Sequence, residues 1–303
     1  TTGRLNTATG YWSMAYMTTG CNNTASGYKT MECSTTAKYS AALGSFALRL
    51  NTTGCCNSAI GYMALRGNTT GAKNVALGLM ALCNNTTAND NTAVGTCSLF
   101  ANTTGTQNTA VGYNSLKTNT TGNFNQAFGV SSLLSNTTGY CNIAMGTNAM
   151  YTNTTGFANV AIGDDAMCKN TTGCYNTGTG HHALAQNTTG NQNTAFGNAA
   201  ACKTTSGCYN TAVGSVTLLY NTTGCSNTAV GQLAMYCNNS GHGNTAVGRN
   251  SLCANTTSNN TAVGADTLCV NTTGACLVAI GTGALRKNTT GARKTAVGGF
   301  ALC

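Results

Sequence analysis

The sequence predicts an all-β fold: a parallel β-solenoid (a β-roll) of about 18 coils with 17 residues per coil. Three observations predict it. First, one unit, N-T-T-G-x-x-N-T-A-V-G-x-x-A-L-x-x, recurs along the whole chain, and repetition at a fixed period is the mark of a stacked architecture. Second, some positions hardly vary: the eleventh is always glycine, the ninth is alanine except at Gly178, and the fifteenth is Leu or Met except at Ala201. Third, the 303 residues include 38 glycines, no proline and only 6% charged residues, against about 25% in an ordinary soluble domain.

Full units start at Met17, Ser34, Asn51 and then every 17 residues to Asn255, with another at Asn271. A partial unit opens at Thr1, another closes at Cys303, and the unit from Asn255 is one residue short. Taken in order, N-T-T-G reads as a turn and T-A-V as a short strand. The eleventh-position glycine, as at Gly112, Gly163 and Gly248, supplies a backbone conformation that a Cβ disfavours. A-L-x then reads as a second short strand. A 17-residue period is too short for two packed helices, and regular glycine penalises any helix.

Alanines let the two walls approach, and positions 10 and 15 are expected to fill the space between them. Examples are Val111 with Leu116, Ile162 with Met167, and Val247 with Leu252. Stacked at strand spacing, the coils would make a rod of roughly 85 Å. Residues 1–303 read as one repeat domain without a polar capping unit at either end. The absence of an initiator Met and of a signal-like segment marks the chain as processed or as part of a longer one.

The N-T-T triplet admits two uses. In a secreted protein it is a glycan acceptor, which makes candidates of Asn51, Asn68, Asn85, Asn102, Asn119, Asn136, Asn153, Asn170, Asn187, Asn221, Asn255, Asn271 and Asn288. The same asparagines, stacked coil on coil, would also form an amide ladder. Branched glycans are wider than the roughly 4.8 Å repeat, so the expectation is a ladder throughout with patchy glycosylation.

The 17 cysteines fall into columns: Cys168, Cys202, Cys253 and Cys269 at position 16, and Cys174, Cys208 and Cys225 at position 5. Zinc-type pairing and redox C-x-x-C motifs are missing. Disulfides are the expectation, because equal positions in neighbouring coils lie within the usual Cα range. Cys208–Cys225 and Cys253–Cys269 satisfy the stacking rule, whereas Cys168–Cys174 and Cys202–Cys208 would close across a corner. Cys208 serves only one of these, so connectivity stays open. Such bridges imply an oxidising, extracellular setting. The alternative is that the cysteines are small reduced residues filling variable positions.

The net charge of +9 is scattered apart from Arg286, Lys287, Arg293 and Lys294, without the dense basic stripe of a nucleic-acid binder. No apolar run is long enough to span a membrane. Five acids and three histidines leave little for catalysis, so neither an enzyme, a metal site nor a cofactor is expected. Register places Asp164-Asp165 beside His181-His182, and Glu32 beside Arg49. Both are read as cross-coil charge pairs.

The segments "NTAVGYNSL" (108–116), "NTAVGRNSL" (244–252) and "NVAIGDDAM" (159–167) resemble the head repeats of trimeric autotransporter adhesins. The N-T-T-G turns resemble repeats of phage and large-virus fibre proteins. The resemblance implies a parallel β-roll that packs as a trimer and binds host matrix. The functional expectation is an extracellular or virion-surface structural fibre, self-associating end to end or as a homotrimer. One alternative is an adhesin or receptor-binding module that meets glycans or a host surface through variable-position residues such as Tyr11, Tyr28, Tyr62 and Tyr113. Another is an ice-binding solenoid, although adjacent Thr-Thr side chains point to opposite sides of an extended chain.

Overall fold

The T-A-V stretch of each unit is the strand, and it is three residues long because the glycine that follows leaves the β region. That glycine has φ from +117° at Gly10 to +138° at Gly78. In the computed structural model, residues 2–303 are described; Thr1, where the first partial unit begins, lies outside them. The chain divides into two units, Thr1–Thr155 and Gly156–Cys303.

The first unit carries β1 (Thr7–Thr9), β2 (Thr24–Ser26), β3 (Ala41–Leu43), β4 (Ser58–Ile60), β5 (Val75–Leu77), β6 (Thr92–Val94), β7 (Thr109–Val111), β8 (Gln126–Phe128) and β9 (Ile143–Met145). The second carries β10 (Val160–Ile162), β11 (Thr177–Thr179), β12 (Thr194–Phe196), β13 (Thr211–Val213), β14 (Thr228–Val230), β15 (Thr245–Val247), β16 (Thr261–Val263), β17 (Val278–Ile280) and β18 (Thr295–Val297). Within each unit every strand pairs in parallel with the next, like residue on like, as in Thr92↔Thr109 and Ala212↔Ala229. Where the chain is one residue short, Thr245 still pairs with Thr261, so the deletion is absorbed in the turn. No helix occurs among the described residues. Each unit is therefore a parallel β-solenoid.

The rest of the coil bonds to its neighbours just as regularly. Leu116 N–H donates to Ser132 O (3.0 Å), Thr120 N–H to Thr137 O (3.0 Å) and Asn114 N–H back to Thr96 O (3.0 Å). A thin solenoid thus satisfies backbone groups that would otherwise be stranded in its turns.

The interior differs from the expectation in one respect. Leu116, Met167 and Leu252 are fully buried, but Ile162 and Val247 are 39% and 36% exposed and Val111 is half-buried. Alternation along a strand requires this. Ala110, Ala161 and Ala246 point inward, so positions 8 and 10 on either side point out. The coil is narrow, and only a methyl group fits on the inner face of the strand. Gly178 marks the same tightness: a Cβ there would lie 3.0 Å from Met167 Cγ of the preceding coil.

Non-glycine residues also adopt left-handed backbone at positions 6, 13 and 15. In one coil these are Gln107 (φ +56°), Asn114 (+56°) and Leu116 (+50°). Such residues are costly singly, and here their amides are held by neighbouring coils, Gln107 N–H donating to Asn89 O (3.2 Å), Asn114 N–H to Thr96 O (3.0 Å) and Leu116 N–H to Ser132 O (3.0 Å).

Candidate functional site

Two asparagine ladders run through the interior, at positions 1 and 7. At position 1, Asn119 Nδ2 donates to Asn102 Oδ1 of the preceding coil (2.9 Å) and to Gly122 O of its own turn (3.0 Å). Its Oδ1 accepts from Asn136 Nδ2 (2.8 Å). At position 7, Asn108 Nδ2 donates to Gly122 O (2.8 Å), while Asn108 Oδ1 accepts from the Asn125 backbone N–H (3.0 Å).

The expected amide ladder therefore runs through the same asparagines that the sequons make glycan candidates. Twelve of the candidates, Asn51, Asn68, Asn85, Asn102, Asn119, Asn136, Asn153, Asn170, Asn187, Asn221, Asn255 and Asn271, are 0% exposed, and Asn288 is 8% exposed. In turns such as those of Asn51, Asn68 and Asn102 the amide folds back to reach the glycine carbonyl three residues on, so Nδ2 is engaged inside the coil.

Where the ladder loses an asparagine, it leaves a mark. Thr204 stands at position 1, and both its Oγ1 and the Oδ1 of Asn187 in the coil before are buried without a partner. Thr204→Asn should restore both donations and raise stability by about 1 kcal/mol, read as a higher urea midpoint. In the short coil, Thr257 O replaces the missing glycine carbonyl, accepting from Asn244 Nδ2 (2.7 Å) and Asn255 Nδ2 (2.8 Å).

The cysteine columns are in register, yet Cys174, Cys202, Cys208, Cys225, Cys253 and Cys269 form no disulfide. The position-5 thiols turn back on their own corner instead: Cys174 Sγ donates to Thr172 O (3.2 Å), Cys208 Sγ to Ser206 O (3.3 Å) and Cys225 Sγ to Thr223 O (3.4 Å). Cys168 Sγ donates to Ala185 O (3.4 Å).

Burial, then the neighbouring Cys269, Cys237 and Asp266, push the Cys253 thiol up from the ordinary 9.0 to about 11. The thiol form is favoured by the folded state, so its contribution is full below pH 9.0 and lost as pH rises through about 11. Thermal midpoints should therefore fall across that window, and fall less in Cys253→Ser.

Asp164 and Asp165 do not pair with the histidines; among the described residues His181 instead packs on His182 (ring centroids 3.9 Å) and its Nδ1 faces Asn198 Nδ2 (3.3 Å). Glu32 does meet Arg49 (2.6 Å) and also Lys29 (3.5 Å). Burial pushes the Glu32 carboxyl up, but the Arg49 hydrogen bond and the charges of Arg49 and Lys29 outweigh it and hold it below the ordinary value.

Two surfaces remain for recognition. One is the outer face of the strands. None of its position-8 or position-10 side chains is charged, and Leu43, Ile60 and Leu77 in the first unit, with Phe196, Val213 and Ile280 in the second, are exposed on it. The other is an aromatic ridge at positions 12 and 13 of the first unit. Tyr11 stacks on Tyr28 (5.8 Å, 9°), Tyr28 meets Phe46 edge-on (5.3 Å) and Phe46 meets Tyr62 (6.0 Å). Trp12 packs on Tyr11 (5.7 Å), and Lys29 Nζ lies over the Trp12 ring at 4.9 Å. Tyr113 shares the column but stands apart from this cluster.

No helix among the described residues is long and apolar enough to cross a membrane. No protein-family model matches the chain, and no curated protein is similar to it.

Proposed function

We propose that this chain is a structural fibre component, working outside the cell or on a virion surface, in which the outer strand faces of several copies pack together. The observation that carries this reading is the position-10 column. Apolar side chains, β-branched or aromatic, repeat there in every coil of the second unit except at Thr179, and no charge interrupts them. Soluble proteins ordinarily protect exposed apolar sheet faces with charge.

A second copy is the natural occupant. Its columns have the same spacing, so side chains of one face interdigitate with those of the other along their length. The face of a nine-strand unit measures roughly 40 by 10 Å at strand spacing. That is about half of what a stable pairwise interface buries per partner. Assembly therefore calls for several copies or for contact along more than one unit, which fits a trimer or filament better than a small dimer.

Sedimentation velocity tests the reading. The wild type should sediment as an oligomer, and the double variant Val213→Lys, Val247→Lys should shift to the monomer with its β signal in circular dichroism unchanged. A wild type that is monomeric up to its solubility limit would refute self-association. The same face, with threonines at position 8 beside the β-branched column, also presents a regular lattice to water. A monomer that shows thermal hysteresis would favour the ice-binding reading.

A further inference from the structure

We propose that the aromatic ridge of the first unit is a binding platform for an extended, linear β-linked glycan, lying along the stacking direction with one sugar ring per coil. The sugar's apolar C–H face would pack on Tyr11, Tyr28 and Tyr62, and its hydroxyls would bond to their phenolic oxygens and to Lys29.

Four features of the ridge support this. Its rings are presented to solvent: Tyr11, Trp12, Tyr28 and Tyr62 are 65%, 44%, 43% and 43% exposed. They are pre-arranged, because each touches a ring in its own or the next coil, and rigid amphipathic rings bind at little entropic cost. Their spacing follows the coil repeat of about 4.8 Å, the ring centroids standing 5.8, 5.3 and 6.0 Å apart with Phe46 offset and edge-on to Tyr28 and Tyr62. A hexose in an extended β-linked chain has about the same length, so successive sugars stay in phase with successive coils, whereas a helical α-linked chain curls away.

The fourth feature is charge, and it separates a glycan from a single-stranded nucleic acid, which also stacks on aromatic rows. A polyanion would need free cations along the ridge. Lys29 and Arg49 are instead both paired with the buried Glu32, and Lys29 and Arg49 also lie over the Trp12 and Phe46 rings. Arg66, one coil further along position 16, has no acidic partner among the described residues. The platform suits a neutral or sparsely charged polymer.

Trp12 is the single tryptophan of the chain and lies within the ridge, so its emission reports occupancy directly. Cellohexaose and chitohexaose would be titrated at physiological salt, with maltohexaose and a single-stranded oligonucleotide as comparisons, and the affinities checked by calorimetry. At least one β-linked hexaose should give a saturable change, bind roughly tenfold more tightly than the corresponding disaccharide, and outcompete both comparisons. Tyr28→Ala, and separately Tyr62→Ala, which stands farther along the ridge from the reporter, should each weaken binding roughly tenfold. Tyr113→Ala should leave it unchanged. The proposal is overturned if neither β-linked hexaose binds, if both tyrosine variants bind as the wild type does, or if the α-linked glucan or the oligonucleotide binds as tightly.

Discussion

Gly163→Ala is expected to destabilise its coil and the coils beside it by about 4 kcal/mol, combining backbone strain and overpacking of ~1–3 kcal/mol each. Gly163 has φ +130°, a conformation closed to residues with a Cβ. An added Cβ would stand 2.7 Å from both the carbonyl carbon and the oxygen of Gly180, so the clash is with the backbone of the next coil, which cannot rotate away. The effect should be local, because stability in a solenoid is a sum over coils and their interfaces. Amide hydrogen exchange should show protection lost around residues 160–180 and kept in remote coils. A turn glycine at position 4 makes the control. Gly173 is not at positive φ, and although an added Cβ there would stand 2.5 Å from Gly190 O, Ala37 and Ala88 occupy the equivalent place in other coils, so Gly173→Ala should carry an overpacking cost without the backbone strain and cost less. Equal costs for the two substitutions would remove the special role given to the eleventh position.

Asn119→Ala is expected to cost about 2–3 kcal/mol, because removing one ladder rung deletes three hydrogen bonds and strands one buried acceptor at ~1–3 kcal/mol. Asn102 Oδ1 loses its donor, whereas Gly122 O keeps the one from Asn108 Nδ2 (2.8 Å) and Asn136 Nδ2 keeps Gly139 O (2.9 Å). Asn119→Asp should be no better, because a carboxylate supplies no donor and adds an unpaired buried charge. Asn123, half-buried at position 5 of the same unit, makes the comparison. It lends its Oδ1 to Thr106 N–H (2.7 Å) at the surface, and its replacement by alanine should cost about 1 kcal/mol. Chemical denaturation of the three variants beside the wild type decides it. A loss at Asn119 no larger than at Asn123 would mean that the interior amides carry little of the fold.

The repeat made much of the architecture legible. The period, the in-register stacking and the burial of Ala110 and Leu116 follow from residues that recur at one position, and so does the need for glycine at Gly163. What was misread follows from side-chain direction within a very thin coil. Ile162 and Val247 carry the larger apolar groups, so a hydrophobicity argument puts them inside. Alternation gives the inner face to Ala161 and Ala246, because only a methyl group fits there.

The sequon is a second case. N-T-T-G reads as an exposed turn, and its Thr backbone does lie at the surface, but the Asn side chain turns inward to its own glycine carbonyl, as Asn68 Nδ2 does to Gly71 O (2.9 Å). The left-handed residues at Leu116 or Gln107 carry no composition signal, since the neighbouring coils rather than glycine enforce that conformation. The aromatic ridge was visible only as scattered tyrosines; the register of coils brings Tyr11, Tyr28, Phe46 and Tyr62 into one row.

Hydrogen exchange of side-chain amides, followed by NMR on asparagine-labelled protein, tests the architecture most directly. Nδ2 protons of Asn102, Asn119 and Asn136 should persist far longer than those of Asn89, which is exposed, and of Asn123, which is half-buried, at position 5. Equal, rapid exchange at both sets, or a glycan found on Asn119, would contradict an interior built on stacked amides.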